Sequence, residues 1–589
     1  MDYTVVGNLS SVFSPKTLST FRIATTLEDV FFGNTQLFQT GKRQEELPPT
    51  LNFLSFRDQQ SARHSRRIDR AWTGDEIISW FVPDKWGAHD LKFGALYTYT
   101  PLRLIAEGNM NGTFTFPGNL DFNRNDPRTY PERFSIRIGA QNILMKSHQV
   151  AWFVQDKWRI SNRLTLSAGM RYELEIVPIP ERDNPLFTDP SQYPVDKNNF
   201  SPRLGLSYVL DSSARTVLRG GYGKFFQTTS LTHLDNFFVT GVFSDSFTAT
   251  FPPNNADPGP SSGRFPTNPY LVNGPTVNRE QLARDFPPGS RQRNVGTVDF
   301  DNPDRVQPNT RQVSIGLERQ LQPGVSVSAD YIRSWNRDLY MRKDLNPGLR
   351  RSTSRTATID RVNPNFVRSV LLLVNTGSFD YDSLQAQIEK RFSNRFAVRG
   401  SYTVSKGFGN TSLGDAEQSS FQLLDDMRLD LNEGPTNIDR RHNVVVSGTL
   451  DVPGTGGLRL SGVARAYSGT PFTIQDSNTD PDRNGILFDP LPPGSYSATR
   501  ANGITVENKG GRNGAYGPGF FQLDLRAGYK FNLRETTNLE IFSEVFNLTN
   551  RSNFNSPSGD RRSTTYLVPT SLRGNGPTRT AQFGIRVSF

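Results

Sequence analysis

The 589-residue sequence contains no cysteine, which excludes a disulfide framework, a thiolate metal site and a cysteine nucleophile. It also lacks long apolar runs. The longest strongly apolar stretch is Ser369–Val374 (SVLLLV), whereas a spanning helix needs about 20 such residues, so helical membrane proteins are excluded. The N-terminal MDYTVVGNLSSVF has neither a basic n-region nor an apolar h-region, and no secretory signal is read there. Lysine is scarce, 13 of the 67 basic residues, and a net charge of +10 over this length is too modest to indicate a nucleic-acid partner. A soluble chain of this length would divide into roughly three or four domains.

What is abundant points elsewhere. The chain has 42 Phe, 18 Tyr, 6 Trp, 49 Gly and 39 Pro at a mean hydropathy of −0.54. A transmembrane β-barrel has this profile, because lipid-facing and lumen-facing residues alternate and average to a polar mean. Period-2 segments dominate. In Leu164–Glu175 (LTLSAGMRYELE) Leu164, Leu166, Ala168, Met170, Tyr172 and Leu174 alternate with polar residues and Gly169. In Phe521–Arg534 (FQLDLRAGYKFNLR) Phe521, Leu523, Leu525, Ala527, Tyr529, Phe531 and Leu533 alternate with Gln522, Asp524, Arg526, Gly528, Lys530, Asn532 and Arg534. Phe396, Val398, Tyr402 and Val404 alternate with Arg395, Arg399, Ser401 and Thr403 in the same way. Strands of ten to thirteen residues exceed the usual globular strand of about 5–6 and match a tilted bilayer crossing.

Connections give the second signal. Tight turns fall at Ser14-Pro15-Lys16, Pro83-Asp84-Lys85, Ser161-Asn162, Asp211–Ala214, Gln322-Pro323-Gly324, Ser393-Asn394, Pro453–Gly456 and Arg534–Thr536. Between them lie long Pro-, Gly-, Asn- and Asp-rich stretches, roughly Gln227–Asn309, Tyr340–Asp380, Gly407–Arg441, Phe472–Gly519 and Leu548–Thr580. Short turns alternating with long loops are the asymmetry of outer-membrane barrels, whose long loops are extracellular. Eight hairpins and a terminal strand, Ala581–Phe589, predict 17 strands. Thr50–Arg57, Gly112–Phe116 and Phe134–Ile138 read as extended segments of loop hairpins or strand extensions. No helix of consequence is expected.

The chain ends Gln582, Phe583, Gly584, Ile585, Arg586, Val587, Ser588, Phe589. The pattern resembles the outer-membrane assembly signal, with Gln582, Gly584, Val587 and Phe589 at its marked positions, and the barrel assembly machinery as the implied partner. The runs Trp152–Glu173, Asn199–Leu210, Thr216–Phe226, Tyr381–Phe392, Gly400–Lys406, Asp439–Gly448, Ser468–Ile474 and Phe542–Phe554 resemble, in order, TonB-dependent receptors of the Oar-like type. The resemblance extends from about Asp2 to Phe589. It implies an all-β fold: a transmembrane antiparallel β-barrel of the outer-membrane transporter type, integral to a Gram-negative outer membrane, contacting lipid and lipopolysaccharide. Its implied function is a receptor that binds an unknown substrate at its loops and imports it.

Members of that family precede the barrel with a signal peptide, a regulatory-like extension and a plug that carries the TonB-contacting segment. The expectation is that residues 1–589 form the barrel domain alone, about 17 of 22 strands, N-terminally truncated and without a plug. On that reading the chain alone does not perform TonB-driven uptake, and the TonB complex is a partner only if a plug is supplied. An odd strand count leaves an open edge or forces a parallel seam. The alternative from another class is a plugless structural or adhesive outer-membrane barrel.

No catalytic constellation is present, and no enzyme and no cofactor are expected. The histidines His64, His89, His148, His233 and His442 lack metal spacing. Arg219-Gly220-Gly221-Tyr222-Gly223 lies in an alternating strand and is read as structural, with glycines that let an aromatic lie over neighbouring backbone. Asp480, Asp482 and Asn484 match positions 1, 3 and 5 of a calcium loop, followed by Gly485, but position 12 is Leu491 and Pro481 intrudes, so a solvated turn is the preferred reading over a calcium site. Trp152, Trp158, Tyr172, Tyr402, Tyr467 and Phe589 are read as interfacial anchors, and Phe237, Phe238, Tyr270 and Tyr516 as loop aromatics able to stack on a ligand. A charge at the lipid-facing midplane costs about 2–4 kcal/mol, so Arg171, Arg399 and Arg526 should point inward.

Overall fold

The computed structural model describes all residues except 1, 34–42, 60–64, 107, 127–128, 139–140, 177–193, 230, 232–244, 251–270, 272, 286–297, 365–368, 412–423, 426–427, 534–535 and 574–577. Period-2 alternation becomes one large antiparallel sheet of 17 long strands. In chain order these are β1 Tyr3–Ser14, β2 Thr17–Phe32, β3 Ser65–Val82, β4 Ala88–Ala106, β5 Gln141–Arg159, β6 Leu164–Ile176, β7 Phe200–Val209, β8 Thr216–Phe226 and β9 Asn309–Gln322. They continue with β10 Val325–Asp344, β11 Val370–Ser393, β12 Phe396–Gly409, β13 His442–Asp451, β14 Leu458–Tyr467, β15 Phe520–Asn532, β16 Asn538–Phe546 and β17 Thr580–Ser588. Each strand pairs with the next, from β1 with β2 through β16 with β17.

The tight turns join these strands two by two at one end of the wall, in the order the sequence predicts; residues 534–535 of the eighth lie outside the described residues. Local chemistry explains them. Asn394 and Arg395 both take positive φ (51° and 73°) between β11 and β12, the two-residue turn whose twist matches a hairpin. Gly324 supplies a φ of 79° after Pro323. At Asp211–Ala214, Asp211 Oδ1 accepts the backbone N–H of Arg215 at 2.8 Å.

Several strands are longer than the sequence pattern suggests. β3 has 18 residues, β10 has 20 and β11 has 24, against about 9–11 needed to cross a bilayer at a tilt. The surplus projects beyond the membrane into the loop end. The apolar run Ser369–Val374 is such a projection: Val370 and Leu373 are buried there, and Val370–Leu372 pair in parallel with Val298–Phe300.

The long loops fold on themselves. The three predicted extended segments pair with Asp245–Thr250, from within a predicted loop, into a second, five-stranded sheet: Asp245–Thr250, Arg133–Ile138, Thr113–Thr115, Thr50–Asn52 and Arg57–Gln59, side by side in that order. Its core holds Leu51, Phe53, Phe114, Phe116, Phe134, Ile136, Phe247, Leu271 and Leu282, the last from the seven-residue helix Arg279–Asp285. A second cluster joins Ile474, Val506, Ala515 and Leu567. Among the described residues, the outer edges of β1 and β17 carry no partner strand. With 17 strands these edges run in the same direction, and hydrocarbon does not tolerate unpaired backbone, so closure needs either a parallel seam or further strand pairing.

Candidate functional site

The wall has two faces of opposite chemistry. On β15–β17 one face carries apolar ladders, Tyr529–Ile541–Ile585 and Phe531–Leu539–Val587, each residue directly opposite the next. The other carries charge: Arg526 donates to Glu544 at 2.6 Å and to Glu540 at 2.8 Å. Two grooves lie back to back on β12–β16. One, of about 520 Å³, is lined by Arg399, Arg465, Asp524, Arg526 and Glu544; the other, of about 530 Å³, by Phe396, Val398, Leu460, Leu525 and Val545. Because the apolar face of such a sheet meets lipid, the charged face lines the lumen. Arg399 and Arg526 lie on it, and so does Arg171, which shares a groove with Arg203 and Gln155 and pairs Glu173 at 2.6 Å.

Charge ladders continue around the wall. Arg22 meets Asp75 at 2.7 Å on the same face, while Arg66 meets Asp29 at 2.6 Å and Arg337 meets Asp380 at 2.6 Å on the opposite face, near the loop end. Arg219 on β8 reaches Asp330 on β10 at 3.2 Å, across β9. The residue between them is Gly316, where a Cβ would collide with the Asp330 carboxylate, so glycine is what allows the bridge. The Arg219–Gly223 run is thus a wall segment, and the Phe225 ring lies 2.7 Å from where a Cβ of Gly223 would stand.

Near the loop end the lumen holds a buried polar network. Arg305 donates to Asp301 at 2.8 Å, to Tyr340 at 3.0 Å and to Thr229 at 3.2 Å, while Glu175 accepts from Gln307 at 2.7 Å and from the Thr229 N–H at 2.9 Å. It ties the segment before β9 onto β6 and β10. Farther out, the loop between β14 and β15 docks on the hairpin Gly348–Arg350/Ile359–Arg361. Arg350 is the centre of that contact, giving Nε to Asp480 at 2.7 Å and its backbone N–H to the Arg483 carbonyl at 2.8 Å.

Of the predicted calcium-loop residues, Asp480 is fully buried and Asp482 is exposed. Asn484 Oδ1 accepts the Ile486 N–H at 2.7 Å, and its amide donates to the Leu424 carbonyl at 3.0 Å. A third carboxylate, Asp489, joins Asp480 and Asp482. Sequence spacing missed it, because Asp489 falls at position 10 of that loop rather than 12. Burial, then the charges of Asp482 and Asp480, push the Asp489 carboxyl up to about 7.

The described histidines are engaged with neighbours: His89 with Asp156 at 2.7 Å, His148 with the Tyr97 hydroxyl at 2.7 Å and His442 with the Tyr402 hydroxyl at 2.9 Å. His64 and His233, and the aromatics Phe237, Phe238 and Tyr270, lie outside the described residues. Tyr516 donates to Asp439 at 2.6 Å, and burial together with that bond pushes its phenol up to about 12. Trp152, Tyr172 and Phe200 stand opposite one another on β5–β7, with ring centres 5.9 and 4.8 Å apart. Such a ladder of amphipathic rings suits a membrane boundary. At the C-terminus, Gly584 lets the Phe542 ring lie over β17, Gln582 bonds Glu544, and Phe583, Val587 and Phe589 are exposed.

The wall coincides with a known domain: the family model for the outer membrane beta barrel domain matches residues 2–582. The chain belongs to this family. It is an integral barrel of the Gram-negative outer membrane. It is similar to the TonB-dependent transporter Oar of Myxococcus xanthus, with 22% identity over 446 residues, 71% of this chain and 38% of the relative. Among solved structures, its fold is similar to that of the outer membrane transporter YddB from Escherichia coli (TM-score 0.57, 11% identity, 100% of this chain and 62% of that one). The pyoverdine outer membrane receptor FpvA from Pseudomonas aeruginosa PAO1, bound to pyoverdine, aligns with TM-score 0.55 at 10% identity over 100% of this chain and 61% of that one. The siderophore receptor PiuA from Acinetobacter baumannii gives 0.52 at 10%, covering 100% and 64%. The chain therefore spans less than two thirds of the length of each of these relatives.

Proposed function

We propose that this outer-membrane barrel is the wall and outer cap of an energy-coupled receptor that binds its substrate at the loop end and passes it along the charged lumen. The observation that carries this reading is the two-faced wall beneath a folded cap: an arginine- and carboxylate-lined interior backs directly onto an apolar lipid face, and packed loops stand over one end. Where a plug is supplied to the wall, energy for uptake comes through the TonB complex acting on that plug, a reading that the likeness to a TonB-dependent transporter supports. Lipid, lipopolysaccharide and the barrel assembly machinery are partners of the wall itself.

The test uses the native host with and without the gene. Depletion of medium components is followed by mass spectrometry in energised cells and in cells treated with a protonophore. The expected result is at least one solute whose removal needs both the gene and the proton gradient. Identical depletion by parent and deletion strains overturns the transport reading and leaves an adhesive or structural barrel.

A further inference from the structure

We infer that Asp480, Asp482 and Asp489 form a calcium site that pins the loop between β14 and β15 to the outer cap. Oxygens of the three carboxylates lie within 4.8 Å of one another. Calcium holds oxygen ligands at about 2.3–2.6 Å, so two oxygens sharing one ion stand at most about 4.6–5.2 Å apart, and the separations within the group lie in that span. The donors are all carboxylate oxygen, with no imidazole and no thiolate, which selects a hard cation. Magnesium, with ligands at about 2.0–2.1 Å in a strict octahedron, suits so open a set poorly.

The independent sign is an unmet valence inside the protein. Asp480 is fully buried, yet only one of its oxygens is used: Oδ2 accepts from Arg350 Nε at 2.7 Å and from the Gly485 N–H at 3.0 Å. Asp480 Oδ1 is buried with no hydrogen-bond partner among the described residues, and so is Asp489 Oδ2. A buried carboxylate oxygen without a donor costs about 1–3 kcal/mol or more, and native proteins seldom leave one so. Arg350 does not fill the need. Its remaining nitrogens donate to the carbonyls of Arg355 at 2.6 Å, Ala357 at 3.2 Å and Gly485 at 3.2 Å. One guanidinium therefore faces three carboxylates. Asp482 is exposed and gives an ion a path from solvent.

An ion here closes the segment from Asp480 to Asp489 on itself and reinforces its docking on the hairpin at Arg350 and Thr353, whose carbonyl accepts the Asp480 N–H at 2.9 Å. The site thus sets the rigidity of the cap whatever the substrate is.

The test is calorimetric titration of the full chain, refolded into detergent micelles and stripped with EDTA, with calcium chloride alone. A single saturable site with a dissociation constant of about 10⁻⁴–10⁻³ M is expected, the range of extracellular calcium modules. Asp489→Asn, which leaves the Arg350–Asp480 pair intact, should weaken binding at least about tenfold, as expected for losing one charged ligand. Heat-modifiable migration on gels verifies that the variant folds, and Asp482→Asn replaces it if it does not. In parallel, tryptic cleavage after Arg483 should slow at least severalfold in calcium relative to EDTA. Absence of saturable calcium binding by the folded chain overturns the site. So does unchanged affinity in the variant, or cleavage after Arg483 that is indifferent to calcium. Equal protection by magnesium overturns the assignment to calcium.

Discussion

The wall and the cap of this molecule sort the same residue types in opposite directions. On the wall, Leu204 is 58% exposed, Ile315 54% and Ile585 70%. In the cap, Phe114 and Phe134 are fully buried and stacked with ring centres 4.6 Å apart. One hydrophobic effect accounts for both, acting against two solvents. The wall gives its apolar face to lipid and turns charge inward, whereas the cap stands in water and must build an interior of its own. A substitution should therefore change its effect with the region it enters.

The largest difference is expected at Phe134. Phe134→Ala opens a cavity in the only large apolar cluster around the five-stranded sheet described here and should cost the cap about 3–5 kcal/mol. Limited proteolysis should then cut the segments at 50–59 and 113–138 more than a hundredfold faster, while heat-modifiable migration of the wall stays as in the parent. If both fail together, cap and wall form one cooperative unit and the distinction between them breaks.

Leu525→Arg is the converse experiment. Leu525 lines the apolar groove midway along β15, so a charge there should cost about 2–4 kcal/mol of unfolding free energy in liposomes. Ser461→Arg, on the opposite face of the neighbouring β14, enters a groove already lined by arginines and should cost under about 1 kcal/mol. Equal costs would mean that the two faces do not meet different solvents.

This division also explains what could be read from the sequence. The count of 17 wall strands and the described turns between them were legible, because a strand's two faces are written in adjacent residues and a turn such as the one after Ser393 is a local matter. The cap was not. Its core joins Leu51, Phe114, Phe134, Phe247 and Leu282, which share no period and come together only in the fold. The strand extensions on β10 and β11 escaped for a related reason: above the membrane nothing enforces alternation, so Ser369–Val374 reads as an apolar run. At the acidic group, Asp480 and Asp482 were visible from their spacing, whereas Asp489 is brought to them by a return of the chain that no spacing rule encodes.

Acid should act differently at the two ends. In the cap, the Asp489 carboxyl is raised to about 7 from an ordinary 3.8, chiefly by burial and then by Asp482 and Asp480. A raised acid favours the folded state when protonated, so without calcium the cap is most stable below pH about 4 and loses stability as pH rises towards 7. Calcium competes with that proton. Its affinity should fall by up to about tenfold per unit below pH 7 and level off above it, with about one proton released per ion bound at pH 6. Calorimetry in two buffers of different ionisation enthalpy measures that proton; a pH-independent affinity between 5 and 7 would contradict the picture.

At the turn end the sign reverses and the effect is the smallest. Asp211 is held down to about 2, first by the Thr216 hydroxyl, then by the Arg215 backbone N–H, with Ser213 adding to them. A depressed acid contributes stability that is present above pH 3.8 and lost as pH falls through about 2. Asp211→Ala should lower the midpoint of heat-modifiable unfolding slightly at pH 5, and this difference from the parent should shrink as pH falls towards 2 and vanish below it. The turn closes a hairpin that the β7–β8 ladder also holds, from Arg203 opposite Gly223 to Val209 opposite Val217, so its loss frays one end without opening the wall. A large loss at pH 5 would instead mean that this turn, and not the ladder, holds the two strands in register.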